Sequence, residues 1–105
     1  MNLVDNNKIF RGFNKIEDGR DNIVMLLDGV SNPSLILESS VLNMHADGAL
    51  KDYRLFILDA YVNDNIDFIS EHYNISVKCA PFTIIEKNGH VETYAGLFNL
   101  EDCIF

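Results

Sequence analysis

Residues 80–96, with the sequence APFTIIEKNGHVETYAG, contain the strongest local signal for the fold. Residues 82–86 and 90–94 are rich in the branched and aromatic side chains that are typical of β-strands. Between them, residues 87–89 (Lys-Asn-Gly) predict a tight turn, because Asn and Gly readily adopt the positive φ angles that such turns require. The stretch therefore predicts a β-hairpin that directly follows a proline, Pro81.

A strand and a helix are predicted upstream of this hairpin. Residues 22–27 (NIVMLL) form a short apolar run before an Asp-Gly pair, which favours a strand buried on both faces. Asn32 is predicted to cap the next helix and Pro33 to open it, because an Asn side chain accepts a free amide and proline has no amide to satisfy. Asp47 and Gly48 are predicted to end that helix.

The remaining elements complete an alternating order. Residues 53–62 (YRLFILDAYV) are typical of a second buried strand, which three turn formers (Asn-Asp-Asn) end. Residues 66–73 have the spacing of a short amphipathic helix, and residues 97–105 are predicted to add one or two helical turns. Residues 8–13 are predicted as an edge strand, with a polar turn or brief helix at 14–20. The order strand, helix, strand, helix, hairpin, helix predicts an α/β fold.

Length and charge limit the possible partners. The chain has 105 residues, so we expect a single domain over residues 1–105. Its formal charge of −8 repels nucleic-acid phosphates and anionic lipid heads. No apolar run reaches the roughly 18 residues of a membrane helix, and the amino end lacks the pattern of a secretory signal. With only Cys79 and Cys103 as cysteines, these features predict a cytoplasmic protein that binds neither nucleic acid nor membrane.

Two segments resemble the thioredoxin family. Residues 80–89, with the following strand and Gly96, look like the family's cis-proline, fourth strand, turn, last strand and glycine. Residues 31–34 (Ser-Asn-Pro-Ser) lie where the family carries its Cys-Gly-Pro-Cys motif, between a central strand and its helix. The resemblance covers most of the chain. It implies a thioredoxin-like α/β fold, with a central mixed sheet of four to five strands flanked by helices.

The same resemblance points to a loss of redox chemistry. Both motif cysteines are replaced, by Ser31 and Ser34, and a serine hydroxyl cannot perform thiol–disulfide exchange. The buried acidic residue of the family's preceding strand is matched by Met25, and the tryptophan before the first cysteine by Val30. Because these positions have changed together while the scaffold residues remain, the resemblance implies a redox-inactive member without dithiol oxidoreductase activity.

The first candidate site is the 31–34 loop, formed by Ser31, Asn32, Pro33 and Ser34. A helix N-terminus presents unpaired amides and a partial positive charge, and the serines add donors. Such a loop can contact a carboxylate, a peptide carbonyl or a phosphate of a partner. The alternative is that these residues only cap the helix.

The second candidate site is the 80–81 edge, formed by Ala80 and Pro81. The resemblance implies a cis peptide bond before Pro81 and an outward-facing Ala80 backbone beside the 31–34 loop, where the family pairs with extended partner segments. Such pairing uses backbone groups and needs no catalytic side chain, so it can persist without the cysteines. The alternative is that the proline serves folding geometry alone.

Cys79 lies two residues before Pro81 and is the thiol nearest the altered motif. It is either an ordinary small apolar side chain or a reactive monothiol next to Lys78. Cys103, among apolar residues of the tail, is predicted to fill the core.

No metal or cofactor site is predicted, and the three histidines, which lack ligand spacing, are expected at the surface: His45, His72 and His90. The function favoured by the sequence is a non-enzymatic binding or assembly module. Its protein partner, expected to be basic, docks on the 31–34 loop and the 80–81 edge. One alternative is a monothiol disulfide oxidoreductase or thiol carrier that uses Cys79. Another is a binder of a small, glutathione-like peptide at the helix end.

Overall fold

The structure, a computed structural model, describes residues 8–17 and 19–104. Its regular elements are five strands, three α-helices and one 3-10 turn over that part of the chain. In chain order they are β1 (Ile9–Phe10), the 3-10 turn (Phe13–Lys15), β2 (Asn22–Leu27), α1 (Asn32–Ala46), β3 (Arg54–Asp59), α2 (Asn63–Tyr73), β4 (Phe82–Lys87), β5 (His90–Ala95) and α3 (Leu100–Ile104).

The five strands form one mixed sheet in the order β1-β3-β2-β4-β5. Strands β1, β3 and β2 run parallel, whereas β4 is antiparallel to both β2 and β5. Helices flank this sheet, so the predicted α/β class with a central mixed sheet of four to five strands is confirmed. Among the described residues, no helix combines the length and the apolar composition needed to cross a membrane.

Strand β2 occupies the centre of the sheet, and all six of its residues are buried, as the apolar run predicts. On one face, Ile23 and Met25 pack with Leu37 and Val41 of helix α1. On the other face, side chains of β2, β3 and β4 pack with helix α2, among them Val24, Leu26, Phe56, Ile69 and Ile84. The core therefore has two halves, one on each side of the sheet.

The hairpin forms where the sequence predicts it, and each strand is one residue longer than expected. The residues of its turn, Asn88 and Gly89, have φ angles of 54° and 79°. Lys87 pairs with His90 directly across the turn. The positive φ angles explain why Asn-Gly is so informative here, since few other dipeptides adopt them without steric cost.

The second buried strand is shorter than the predicted residues 53–62, because the side chain of Asp59 ends it. Its Oδ1 accepts a hydrogen bond from Tyr61 N at 2.8 Å, and its carbonyl accepts one from Val62 N at 3.2 Å. The Asn-Asp-Asn segment, predicted as a turn, instead forms the start of α2, and Asn65 Nδ2 donates to the Asp59 carbonyl at 2.9 Å.

Both chain ends also differ from the expectation. The predicted edge strand at 8–13 contracts to β1, because the chain turns at the 3-10 turn, where Phe13 stacks on Phe68 with ring centroids 4.3 Å apart. The tail helix begins only at Leu100, and Phe105 lies outside the described residues.

Two leucines on helix α1 provide a matched test of this packing. Leu37 is 1% exposed and lies in the core, whereas Leu35 is 45% exposed. Replacement of a buried leucine by alanine leaves a cavity, so Leu37→Ala should lower the free energy of unfolding by about 2–5 kcal/mol. Leu35→Ala should change it by less than about 0.5 kcal/mol. Urea denaturation measures both, and equal losses would contradict the assigned orientation of α1.

Candidate functional site

Both candidate sites lie at one edge of the sheet. The 31–34 loop follows the carboxyl end of β2, and the 80–81 edge immediately precedes β4. Because β2 and β4 are antiparallel, with Leu26 opposite Phe82, the end of β2 and the start of β4 meet. The chain after β3 joins the same edge, since Ala60 N donates to the Leu27 carbonyl at 2.9 Å.

The carboxylate of Asp28 organises the start of the 31–34 loop. Its Oδ1 accepts hydrogen bonds from Val30 N and Ser31 N, each at 2.9 Å. The main-chain amide of Asp28 in turn donates to Ser34 Oγ at 3.2 Å. This arrangement is an Asx turn, in which an aspartate side chain takes the place of a main-chain acceptor.

The helix cap is Ser31 and not the predicted Asn32. Ser31 has an extended backbone, and its Oγ accepts a hydrogen bond from Ser34 N at 3.4 Å. The Ser31 carbonyl accepts a second one from Leu35 N at 3.0 Å. The Asx turn at Asp28 explains the shift by one residue, because it fixes the backbone of Ser31 in the conformation of a cap. Asn32 is consequently the first residue of the helix.

The hydrogen-bonding groups of Ser31 and Ser34 are therefore engaged within the chain, whereas Asn32 is exposed. Ser34 is fully buried, both serine oxygens act as acceptors, and Pro33 has no amide. The carboxylate of Asp28 adds a negative charge at the positive end of the helix. These contacts agree with the capping interpretation of the loop and oppose the binding of an anion. Within the loop, Asn32 and Pro33 are exposed to solvent. Val30, the residue before the loop, has an exposed fraction of 67%.

Hydrogen bonding also sets the ionisation of Asp28. The amide of Ser31 makes the largest contribution and the amide of Val30 the next, and together they lower the pKa of Asp28 from 3.8 to about 2. Both amides stabilise the charged form of the carboxylate, which explains the direction of the change. The loop thus carries a fixed negative charge at neutral pH.

No titratable side chain stands at the position beneath the loop. Met25, which the resemblance aligns with the family's buried acid, is fully buried in the half of the core beside α1. It pairs in the sheet with Ile57 and Thr83. A thioether cannot accept or donate a proton in exchange chemistry, so this position offers no proton transfer.

In the 80–81 edge, the main chain of Ala80 forms no hydrogen bond with the described residues. The Ala80–Pro81 peptide bond is cis, and the buried Pro81 accepts a hydrogen bond from Gly96 N on its carbonyl at 2.8 Å. Within residues 8–17 and 19–104, by contrast, no hydrogen bond reaches the amide or the carbonyl of Ala80. Ala80 is half-buried, so part of the residue is open to solvent.

A shallow apolar groove of about 240 Å³ borders Ala80 on the α2 side of the sheet. Its lining residues come from β2, from the chain around α2 and from the segment before β4: Leu26, Ala60, Ile66, Val77, Lys78, Cys79 and Ala80. Next to Ala60 in the chain, Tyr61 and Val62 are both exposed. The groove is thus an apolar surface adjoining a free main-chain donor and acceptor. None of the four residues of the 31–34 loop lines it.

The structure assigns different environments to the two cysteines. Cys79 is exposed, lines the groove, and has its Sγ 4.0 Å from the Pro81 carbonyl. Cys103 is half-buried and donates to the Asn99 carbonyl at 3.4 Å. The prediction that Cys103 fills the core is therefore wrong in part. Cys103 packs against the core from the short helix α3 but remains partly open to solvent.

All three histidines were expected at the surface, but only one of them is fully exposed. His45 and His72 are half-buried, and His72 stacks on Phe68 with ring centroids 5.1 Å apart. His90 is exposed, with Nε2 3.4 Å from Glu92. Among residues 8–17 and 19–104, no three His, Cys, Asp or Glu side chains are grouped as ligands for a metal ion.

Sequence reasoning missed Asp28, Tyr61 and Val62. The apolar run identifies Asp28 only as the residue that follows a strand. Its side chain, however, can accept hydrogen bonds from the amides two and three residues later in the chain, as in an Asx turn. Tyr61 and Val62 were assigned to a buried strand. Their exposure follows from the early end of β3 at Asp59, which depends on a side-chain hydrogen bond that apolar periodicity does not reveal.

Comparison with known proteins identifies the fold. No protein-family profile and no characterised protein matches the sequence. The chain is similar in structure to a thioredoxin of Malassezia sympodialis, Mala s 13, which is described as a member of a pan-allergen family. The TM-score is 0.62 at 14% identity, over 83% of this chain and 74% of that chain. At such an identity the similarity shows the fold alone, and the fold is thioredoxin-like.

The Asx turn makes a prediction about acid stability. Because the folded-state pKa of Asp28 lies below the unfolded value, its contribution to stability is fully present above about pH 3.8 and is lost as the pH falls towards about 2. Wild type should therefore lose stability over this range more steeply than Asp28→Asn, which keeps an acceptor oxygen without the charge. Urea denaturation at several pH values between 2 and 7 measures this difference.

Asp52→Asn is the matched control, because Asp52 is exposed and makes no hydrogen bond within the described residues. This control should follow the wild-type curve. If Asp28→Asn and wild type lose stability in parallel between pH 4 and 2, the charge of Asp28 does not hold the loop.

Proposed function

We propose that this chain is a redox-inactive thioredoxin-fold protein that binds an extended segment of a protein partner. The observation that carries the proposal is the main chain of Ala80, whose donor and acceptor form no hydrogen bond with any described residue and which borders an apolar groove. A partner segment in extended conformation can pair with these groups as an added strand does. An apolar side chain of that segment would then enter the groove.

Redox inactivity is supported by the chemistry of the altered motif. Ser31 and Ser34 supply hydroxyls where exchange requires thiols, and both oxygens already accept hydrogen bonds. The Asp28 carboxylate also takes the amides of the turn before the helix. In this environment, the groups that would stabilise a thiolate are already bound to a carboxylate of the chain itself.

Charge supports a basic partner. The chain carries a formal charge of −8, and Asp28 adds fixed negative charge beside the binding edge. Opposite charge on the partner raises the association rate, and this effect weakens as salt screens it. The exposed Val30, Tyr61 and Val62 provide apolar contacts around the edge. Both cysteines are free, which suits a reducing compartment such as the cytoplasm.

One observation favours a second candidate function, that of a monothiol oxidoreductase or thiol carrier. Cys79 is exposed and lines the groove in which the partner segment would lie. Its thiolate could attack a disulfide of a bound partner, so that a new Cys79–partner disulfide forms and the partner's other sulfur leaves as a thiolate. Lys78 is the one cation among the groove-lining residues.

The binding proposal is tested by selecting random 12-residue peptides on phage against the wild type. Peptides that bind should lose at least about tenfold in affinity for Ala80→Arg, because the arginine side chain fills the edge where the segment pairs. Ala46→Arg, at the exposed end of α1, introduces the same charge far from the edge and should bind as wild type does. Unfolding curves of both variants show whether the fold is retained.

Backbone pairing has its own readout. A selected peptide that is N-methylated at the residue paired with Ala80 loses a main-chain donor, and its affinity should fall while its side chains are unchanged. Selected peptides that bind a folded Ala80→Arg variant as tightly as wild type would sink the assignment of this edge.

A further inference from the structure

A second and larger groove lies on the opposite face of the sheet, between α1 and the segment that leads into α3. It encloses about 480 Å³. Its walls are formed on one side by α1 and on the other by the chain after β5: Ile36, Leu37, Ser40, Leu97, Phe98, Asn99 and Glu101. We call it the α1–α3 groove. It shares no residue with the groove beside Ala80.

Two large apolar side chains that line this groove, one on each wall, remain open to solvent. Ile36 is 54% exposed and Leu97 is 50% exposed. Between them, Leu37 is fully buried and forms the floor. Exposed pairs of this size are costly to leave in water, and a partner side chain placed between them would be desolvated on several sides.

The wall that carries Leu97 is held in place by contacts on both sides. Gly96 N donates to the Pro81 carbonyl at 2.8 Å, and Phe98 stacks on Tyr94 with ring centroids 4.4 Å apart. After Leu97, Asn99 Oδ1 accepts a hydrogen bond from Glu101 N at 3.1 Å and caps α3. The groove is thus largely formed before anything binds, which lowers the entropic cost of association.

Among the described residues that line the α1–α3 groove, the charged one is Glu101. Both walls of the groove belong to segments without Lys or Arg, residues 21–50 and residues 88–105. The carboxylates in these two segments are Asp21, Asp28, Glu38, Asp47, Glu92, Glu101 and Asp102. Glu38 is paired with Arg11 at 3.9 Å, whereas Glu101 lines the groove and Asp102 follows it on α3; both are exposed and form no ion pair within the described residues.

We propose that the α1–α3 groove binds a Lys- or Arg-rich segment of a partner protein. One large apolar side chain of that segment lies between Ile36 and Leu97, and its cations lie against Glu101 and Asp102. A second copy of this chain is a poor occupant, because two chains with a formal charge of −8 repel each other and neither wall segment contains Lys or Arg. The inference stands apart from the binding proposed at Ala80, since the two surfaces occupy opposite faces of the sheet.

The probe is a fluorescein-labelled 12-residue peptide with two leucines four positions apart among six lysines. Two control peptides replace the leucines by serine or the lysines by glutamate. Fluorescence anisotropy measures affinity, and amide shifts of the ¹⁵N-labelled protein locate the bound peptide. The lysine–leucine peptide should shift amides around Ile36, Leu97 and Asn99, and each control peptide should bind at least about tenfold more weakly.

Matched protein variants separate this surface from the rest of the molecule. Leu97→Ser should weaken the peptide about tenfold, whereas Val91→Ser, which alters an exposed apolar residue on the edge strand β5, should leave affinity unchanged. Glu101→Gln combined with Asp102→Asn removes two exposed charges without placing cations at the start of α3, and it should weaken the affinity for the peptide about threefold, more at low salt. Ala80→Arg should bind as wild type does, which keeps the two proposals distinguishable.

Three results would overturn the inference. One is equal affinity of wild type and a folded Leu97→Ser variant. Another is equal affinity for the leucine and serine peptides, which would mean attraction by charge alone. The third is a set of amide shifts centred on Ala80 instead of the α1–α3 groove.

Discussion

The hydrogen bonds from Val30 and Ser31 to the carboxylate of Asp28 determine how the central strand connects to the main helix. They fix the turn after β2, place Ser31 as the cap of α1, and leave Ser34 Oγ to accept the amide of Asp28. The direction of α1 across the sheet, and with it the packing of Leu37 and Val41, starts from this turn. The same contacts occupy the amides of Val30 and Ser31 and place a negative charge at the start of α1, so one carboxylate both shapes the fold and opposes the binding of an anion there.

We therefore expect this chain to bind partners through main-chain groups and apolar surface, since Ser31 and Ser34 supply no thiol. On the α2 side of the sheet, the main chain of Ala80 forms no hydrogen bond with the described residues and lies beside an apolar groove. On the α1 side, Ile36 and Leu97 border a larger groove that the carboxylate-bearing Glu101 also lines. Both surfaces suit protein segments, and the negative charge of the chain favours basic ones.

The sequence predicts those elements whose signals are local. The hairpin follows from the φ preferences of Asn88 and Gly89, and β2 follows from an apolar run that is buried on both faces. Prediction from the sequence fails where contacts between residues that are distant in the chain determine which side chains are buried. Arg54 is buried because its guanidinium lies over the ring of Phe10, 5.0 Å from the centroid, and Glu86 is buried because Asn22 and Tyr73 donate to its carboxylate. Resemblance to a motif points to the candidate residues, whereas each groove is lined by residues from separate parts of the chain and has no local sequence signal.

The measurement that tests the central claim most directly is catalysis of disulfide reduction, with insulin as substrate and an excess of dithiol reductant, for the wild type and for Cys79→Ser. The serines at positions 31 and 34, which supply no thiol, predict that both proteins give the rate of buffer alone. A wild-type rate above that background would contradict redox inactivity. If this rate disappeared in Cys79→Ser, the exposed thiol beside Ala80 would be the reactive group and the chain would be a monothiol enzyme.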